Sequence, residues 1–239
     1  MAFVHGSKAK LYASGFDLTA FFKSASVQRT ADMAETSAFL TSAKSYIPGM
    51  HDATLSADGM YEGTATGVDA ILSPLLGQET PLVVALDVGV EAVGSVCHCM
   101  VGTQNTYDVD TSTDDVAAVS IEFQSNVGAE RCLIHKVLGA ITTANDGNGA
   151  SIDNVASSAN GGVGYVQVTA ASGTPTLTAK VQHSVDDSVW ADLITFTAVT
   201  VVGAERVAVA GTVNRYTRST ETIDQGSVTY MMAFGRKAF

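Results

Sequence analysis

Residues 116–124 read VAAVSIEFQ, and this stretch decides the fold class. The apolar residues Val119, Ile121 and Phe123 alternate with polar residues at the positions between them. Successive side chains of a β-strand point to opposite faces of a sheet. The alternation therefore predicts an antiparallel strand with one buried face and one exposed face.

The same alternation recurs on both sides of this stretch. In residues 52–62, Leu55, Ala57 and Tyr61 share one face, and polar residues occupy the other. Further strands are predicted at residues 8–13, 24–30, 81–88, 93–103, 131–138, 164–170, 176–184, 193–202, 206–210, 214–223 and 229–235. The chain is therefore predicted to be mainly β.

One amphipathic helix interrupts the strands. Residues 66–69 fit a capping box, and apolar residues follow at positions 68, 71, 72, 75 and 76, the spacing of one helical face. Pro74 lies inside this pattern and has no backbone N–H to donate. The helix is therefore predicted to be short and to end near Ser73, packed beside a small sheet or barrel.

Composition suggests a division of the chain into two domains. Residues 142–162 are rich in Gly, Ser and Asn, the composition of a linker or of exposed loops. We predict one domain at residues 1–141, with a β-sandwich or half-barrel and the flanking helix. A second domain, a helix-free β-sandwich, is predicted at residues 163–239.

The charge of the chain excludes some functions. Lys and Arg number 13 against 24 Asp and Glu, which gives a net charge of -11 and leaves no excess of cations to neutralise nucleic-acid phosphates. Charged residues make up only 15% of the chain, below the roughly 25% that is usual, which indicates a surface partly covered by partners. Neither a secretory signal nor a membrane span is predicted, so synthesis in a cytoplasm is expected.

No motif predicts catalysis, a cofactor or a metal site. Cys97 and Cys99 share a strand face while His98 points away, so the three are interpreted as ordinary strand residues. The acidic run at residues 107–115 lacks the Gly and Glu of an EF-hand and is interpreted as a solvated loop. No hydrolase or nucleotide-binding signature is present, and a non-enzyme is predicted.

A long segment between the early strands is a candidate contact region. Residues 28–50 show little periodicity in their centre, and Pro48-Gly49 is a turn signal. A loop of this length in a compact domain is usually functional. We interpret it as an arm that contacts another subunit through a group of five side chains: Thr36, Phe39, Tyr46, Ile47 and Met50.

Trp190 is the single tryptophan of the chain. A large aromatic side chain in a sandwich usually lies in the core, and this is the expected position. The alternative is an exposed ring that contacts a glycan.

The order of several segments resembles the major tail tube proteins of long-tailed, non-contractile bacteriophages. The segments that carry the resemblance span most of the chain: 5–12 (HGSKAKLY), 16–19 (FDLT), 24–27 (SASV), 30–36 (TADMAET), 44–50 (KSYIPGM), 181–184 (VQHS), 190–193 (WADL), 211–216 (GTVNRY) and 233–237 (AFGRK). The resemblance implies a virion protein whose hexameric rings stack into a tube. It also implies that the segment at residues 28–50 contacts the next ring and that residues 163–239 face outwards.

The same resemblance implies the partners of the chain. These are further copies of itself, a tape-measure protein, and tail terminator and tip proteins, while DNA passes through the lumen without sequence-specific binding. A carbohydrate-binding or adhesin module, with Trp190 on its surface, is the alternative from a different functional class. A hydrolase is the third possibility.

Overall fold

The computed structural model describes residues 5–37, 42–80 and 82–237. Within these ranges the chain forms antiparallel strands and one short α-helix, α1 (Val68–Leu72), so the predicted mainly-β fold class is confirmed. The strands are β1 (Lys10–Ala13), β2 (Phe16–Asp17), β3 (Phe22–Glu35), β4 (Tyr46–Met60), β5 (Leu82–Asp87), β6 (Val96–Asp110), β7 (Ala118–Ile141), β8 (Gly147–Asn148), β9 (Ile152–Asp153), β10 (Gly162–Ser172), β11 (Leu177–Ser184), β12 (Ala191–Thr195), β13 (Gly203–Val209), β14 (Tyr216–Ile223) and β15 (Ser227–Arg236).

The helix is as short as Pro74 predicts, but it begins differently. A 3₁₀ turn at Ser73–Leu75 follows α1 directly and contains the proline. The predicted capping box is wrong, because Gly67 is the N-cap residue and no side chain caps the helix. The Asp69 carboxylate instead accepts a hydrogen bond of 2.7 Å from the Tyr107 hydroxyl, which draws it away from the helix start.

The chain divides into two compact units. The hairpin unit comprises the described residues of 21–82 and 100–129, and the sandwich unit comprises those of 1–20, 83–99 and 130–239. Strands β6 and β7 contribute residues to both units. The predicted division into domains at 1–141 and 163–239 stays a prediction.

The hairpin unit is built on the alternation that the sequence displays. Strand β4 pairs with β3 on one side and with residues 118–124 of β7 on the other, both antiparallel. Leu55, Ile121 and Phe123 are buried on one face of this sheet, and polar residues occupy the other face.

The sandwich unit contains two antiparallel sheets. One has the strand order β13-β10-β15-β7-β6-β5-β1-β2, and the other has β12-β11-β14 with β8 and β9 both paired to β14. The core of this unit consists of buried residues from both sheets: Ile141, Val166, Val168, Leu177, Ala179, Val181, Ile194, Phe196, Val213, Ile223, Val228, Tyr230, Met232 and Phe234.

Several predicted strands have different bounds in the structure. The strands predicted at 116–124 and 131–138 belong to one long strand, β7, and the strand predicted at 93–103 continues to Asp110 in β6. The strand predicted at 193–202 ends at Thr195. The Thr197 N–H donates to the Glu205 carboxylate at 2.8 Å, so it does not extend the backbone ladder.

A buried histidine joins the two sheets of the sandwich unit. His135 on β7 lies 2.9 Å from the Thr217 hydroxyl of β14 and 3.0 Å from the Leu133 carbonyl oxygen. Because a carbonyl only accepts, His135 Nδ1 carries the proton and Nε2 accepts from Thr217. The ring is 1% exposed, and this burial lowers the pKa of His135 to about 4.

This burial predicts a loss of stability in mild acid. In the unfolded chain the pKa of His135 returns to about 6.5, so the unfolded state binds the extra proton as the pH falls through 6.5 towards 4. We expect this residue to lower the free energy of unfolding by about 2.5 kcal/mol between pH 7.5 and pH 4.5. Urea titrations at the two pH values measure the change. The decrease should be smaller by that amount in His135→Gln, and an equal decrease in both proteins contradicts the prediction.

Candidate assembly arm and acidic face

The outer part of the β3–β4 hairpin is exposed in the residues that the structure describes. Described residues 28–36 and 42–52 are exposed along both strands. The two strands stay paired to the end, since the Thr36 N–H donates to the Ser45 carbonyl oxygen at 2.8 Å and the Thr36 and Ser45 hydroxyls lie 2.9 Å apart. A two-stranded ribbon without a covered face is marginally stable in water. We call residues 28–50 the arm and expect it to be covered in an assembly.

The arm carries apolar side chains on a surface that water would otherwise occupy. Tyr46 and Pro48 are alternate residues of β4 and share one face with Met33, which is paired with Pro48. The register shift between Ala31 and Met33 interrupts this alternation before Met50. Met33 is 56% and Met50 is 79% exposed, and Ile47 is exposed on the opposite face. Exposed apolar residues grouped in this way mark contact surfaces.

The predicted loop at residues 28–50 is wrong in its local structure. In the described residues this segment is strand through Glu35 and strand again from Tyr46. The sequence lacked alternation here because the described residues of both strands of the ribbon are exposed on both faces. Pro48-Gly49 does not form a turn, because Pro48 lies within β4 next to an irregularity in the pairing between Ala31 and Met33, a position that tolerates proline.

The five predicted contact residues are distributed as follows. Tyr46, Ile47 and Met50 are exposed on β4, and Thr36 follows the end of β3. Phe39 lies outside the described residues. Sequence reasoning missed Met33, which is exposed and paired with Pro48. No pattern in the sequence around Met33 indicates this position.

The polar face of the hairpin unit brings together three carboxylates: Asp52, Asp58 and Glu122. Asp52 and Asp58 are both on β4, at an even spacing that places them on the same side. Glu122 joins them because the register pairs Ser56 with Glu122. We call this surface the acidic face.

Neutral donors hold the carboxylates of the acidic face. Asp58 accepts from the hydroxyl of Ser120 at 2.8 Å and from that of Ser24 at 3.2 Å. Glu122 accepts from the Asn105 amide at 2.7 Å. Ion pairs within the described ranges involve none of the three carboxylates. The hydrogen bonds therefore orient the negative charges without neutralising them.

The cysteines occupy the positions expected of strand residues. Cys97 and Cys99 are buried on one face of β6 with their sulfur atoms 3.5 Å apart, and Cys132 is buried on β7. Burial raises the pKa of the Cys99 thiol, which keeps it protonated. Across the described ranges, no group of three or more His, Cys, Asp or Glu is arranged to hold a metal ion.

The interpretation of residues 107–115 as a solvated loop is only partly right, because the first four residues belong to a strand. Tyr107 to Asp110 extend β6, and the bond from Tyr107 to Asp69 holds this extension against the helix. The remaining residues form a turn with local bonds such as Asp114 N–H to the Ser112 hydroxyl, 3.3 Å.

Trp190 is not in the core, contrary to the expectation. It is half-buried, and the Arg218 guanidinium lies 4.1 Å from the ring centroid. Arg218 in turn donates to the Gln182 amide oxygen at 2.8 Å and 3.0 Å, so the cation is fixed over one side of the ring. This cation–π contact on the outer face of β11 and β14 accounts for the position of the Trp190 ring.

None of the helices in the described ranges has the length and apolar character needed to cross a membrane.

Comparison with known proteins gives structural matches only. No protein-family model and no curated protein matches this chain. One match is the tail of an empty gene transfer agent particle in C6 symmetry, with 10% sequence identity and a TM-score of 0.39. The match covers 46% of this chain and 80% of the other chain. A second match is the virion of a native gene transfer agent particle, with 11% sequence identity and a TM-score of 0.43. The match covers 53% of this chain and 97% of the other chain.

A third match is the SPP1 tail tube. It is 9% identical, covers 54% of this chain and 78% of its own, and has a TM-score of 0.44. These matches come from phage and gene transfer agent tails or virions, in agreement with the resemblance in the sequence. With TM-scores below 0.5 they carry no functional argument of their own.

Proposed function

We propose that this chain is a non-enzymatic structural subunit of a virion tail, which assembles into stacked hexameric rings that form a tail tube. The observation that carries the proposal is the arm, whose described residues pair as a ribbon and expose four large apolar side chains: Met33, Tyr46, Ile47 and Met50. Burial of one large apolar side chain contributes about 1.5–3 kcal/mol, and this gain is repeated in every copy.

The acidic face supplies the second part of the proposal, a conduit for DNA. Carboxylates repel the phosphates of a duplex, and no ion pair of the described residues neutralises the carboxylates of this face. A tube lined by this face lets DNA slide during ejection. Tape-measure, terminator and tip proteins are the further partners that such a tube requires.

Electron microscopy and sedimentation of the purified chain test the assembly. We expect rings or tubes of constant diameter that grow with protein concentration. A chain that remains monomeric at all accessible concentrations and binds to glycan arrays instead contradicts a tube and favours the adhesin alternative. The observation that favours the adhesin alternative is the position of Trp190, which is half-buried beside Arg218 rather than in the core.

The charge of the acidic face predicts a change in DNA binding. We expect Asp58→Lys combined with Glu122→Lys to raise the affinity of assembled tubes for short duplex DNA by at least about tenfold at low salt, and the gain to fall as salt is added. Fluorescence anisotropy of labelled duplex measures it. The control with the same charge change is Glu79→Lys combined with Asp114→Lys, at exposed sites outside the acidic face. Equal gains in both proteins contradict the assignment of the lumen surface.

A further inference from the structure

A cationic pocket lies in the sandwich unit, separate from the arm and the acidic face. Its volume is about 350 Å³, within the usual range of small-molecule sites. Three cationic side chains line it: Arg131, Arg236 and Lys237. Asn154 and Ser158 add polar groups, and Phe234 contributes an apolar ring.

The strand register brings the cations together. β15 runs antiparallel to β7 with Phe234 paired to Leu133. Arg236, two residues after Phe234, and Arg131, two residues before Leu133, therefore come together just beyond this pair. Lys237 follows directly. Such a convergence has an electrostatic cost, because like charges in a partly desolvated pocket repel one another.

The acidic residues beside the pocket are already engaged. Glu130 accepts from the Arg206 guanidinium at 2.9 Å and from the Tyr165 hydroxyl, and Asp153 accepts from Arg215 at 2.6 Å. The six ion pairs of the described ranges involve none of the three pocket cations. Although the net charge of the chain is -11, no ion pair with a described carboxylate balances the three cations of this pocket.

One of these cations is held in a fixed orientation. The Arg236 guanidinium donates to the Asn154 carbonyl oxygen at 3.0 Å and to the Ala156 carbonyl oxygen. Carbonyl oxygens orient a guanidinium but do not neutralise it, and two of its five donors are used in this way. The Arg236 guanidinium is thus held in place with further N–H donors, beside the cations of Arg131 and Lys237.

We propose that this pocket binds a phosphate group carried by a small molecule or by a polymer. A phosphate dianion matches three cations better than a singly charged carboxylate does, and its oxygens accept the paired donors of an arginine. The pocket is larger than phosphate alone needs, and Asn154 and Ser158 can bond to hydroxyl groups of an attached sugar or polyol.

Isothermal titration calorimetry of the full chain at low ionic strength tests the proposal. The probes are glucose 6-phosphate, glycerol 3-phosphate, inorganic phosphate, glucuronate and glucose. We expect saturable binding of the phosphate compounds at one site per chain, weaker binding of glucuronate and none of glucose. Tighter binding of the sugar and glycerol phosphates than of inorganic phosphate indicates contacts to the attached group, and equal binding still supports a phosphate site. The absence of saturable phosphate binding, or a preference for glucuronate, overturns the proposal.

Variants localise the binding. Arg131→Gln and Lys237→Gln change exposed side chains and should each weaken phosphate binding about tenfold, the value of one charge-assisted hydrogen bond. The matched control is Lys23→Gln, which removes an exposed cation from the hairpin unit and should leave the affinity within about twofold. Urea unfolding of each variant verifies that the fold is kept. Equal losses in pocket and control variants indicate non-specific attraction and contradict the site.

Discussion

Replacing residues 32–50 by an Asn-Gly turn is expected to abolish tube formation and to leave a folded subunit. Ala31 is paired with His51, so a two-residue turn joins strands that are already aligned. The replacement removes the exposed Met33, Tyr46, Ile47 and Met50, and it keeps the pairing of β4 with β7. Because the described residues 32–36 and 42–50 are exposed in the subunit, the free energy of unfolding should change little.

Point variants separate the apolar contacts from the length of the arm. Ile47→Asp and Met50→Asp should each raise the protein concentration at which tubes form by at least about tenfold, since each removes an apolar contact of about 1.5–3 kcal/mol and places a charge at the contact. Val116→Asp is the control, because Val116 is 60% exposed in the hairpin unit outside the arm. Sedimentation velocity over a concentration series gives the threshold. Tubes of normal length from the turn-replacement protein would show that the arm is not an assembly element.

Sequence alone predicted the structure well where one face of a strand is buried within the chain. Residues 116–124 and 52–60 alternate because Leu55, Ile121 and Phe123 enter a core, and the structure confirms these strands. The arm gave no such signal, because both of its faces are exposed in the subunit. Periodicity reports burial, so a strand that another copy covers leaves no alternating pattern.

The candidate sites depend on register, which the sequence does not display. Asp52 and Asp58 lie on one strand and could be placed on one face from spacing alone. Their meeting with Glu122 required the pairing of Ser56 with Glu122 across 66 residues. The cationic pocket likewise required the pairing of Phe234 with Leu133. Local patterns predict elements, and long-range pairing creates the sites.

A partly buried ion pair in the sandwich unit also depends on long-range pairing, and its removal has the largest expected effect on stability. Lys136 on β7 lies 2.8 Å from Glu221 on β14, and the Glu221 side chain is 4% exposed. The Lys136 ammonium also lies 5.8 Å from the centroid of the Tyr230 ring. Burial and the neighbouring Glu221 carboxylate raise the pKa of Tyr230, so its hydroxyl stays neutral, and Lys136 supplies the cation that pairs with Glu221.

Lys136→Met should therefore lower the free energy of unfolding by about 3–5 kcal/mol, because it leaves a buried carboxylate without its cation. The double variant Lys136→Met with Glu221→Met should recover most of this loss, since it also removes the buried carboxylate that the single variant leaves without a cation. Urea unfolding at pH 7.5 measures both. Lys180→Met serves as the control, because the side chains of the Lys180–Asp192 pair are 32% and 44% exposed and the pair should contribute less than about 1 kcal/mol. Equal losses for Lys136→Met and Lys180→Met would mean that Glu221 is compensated by water rather than by Lys136.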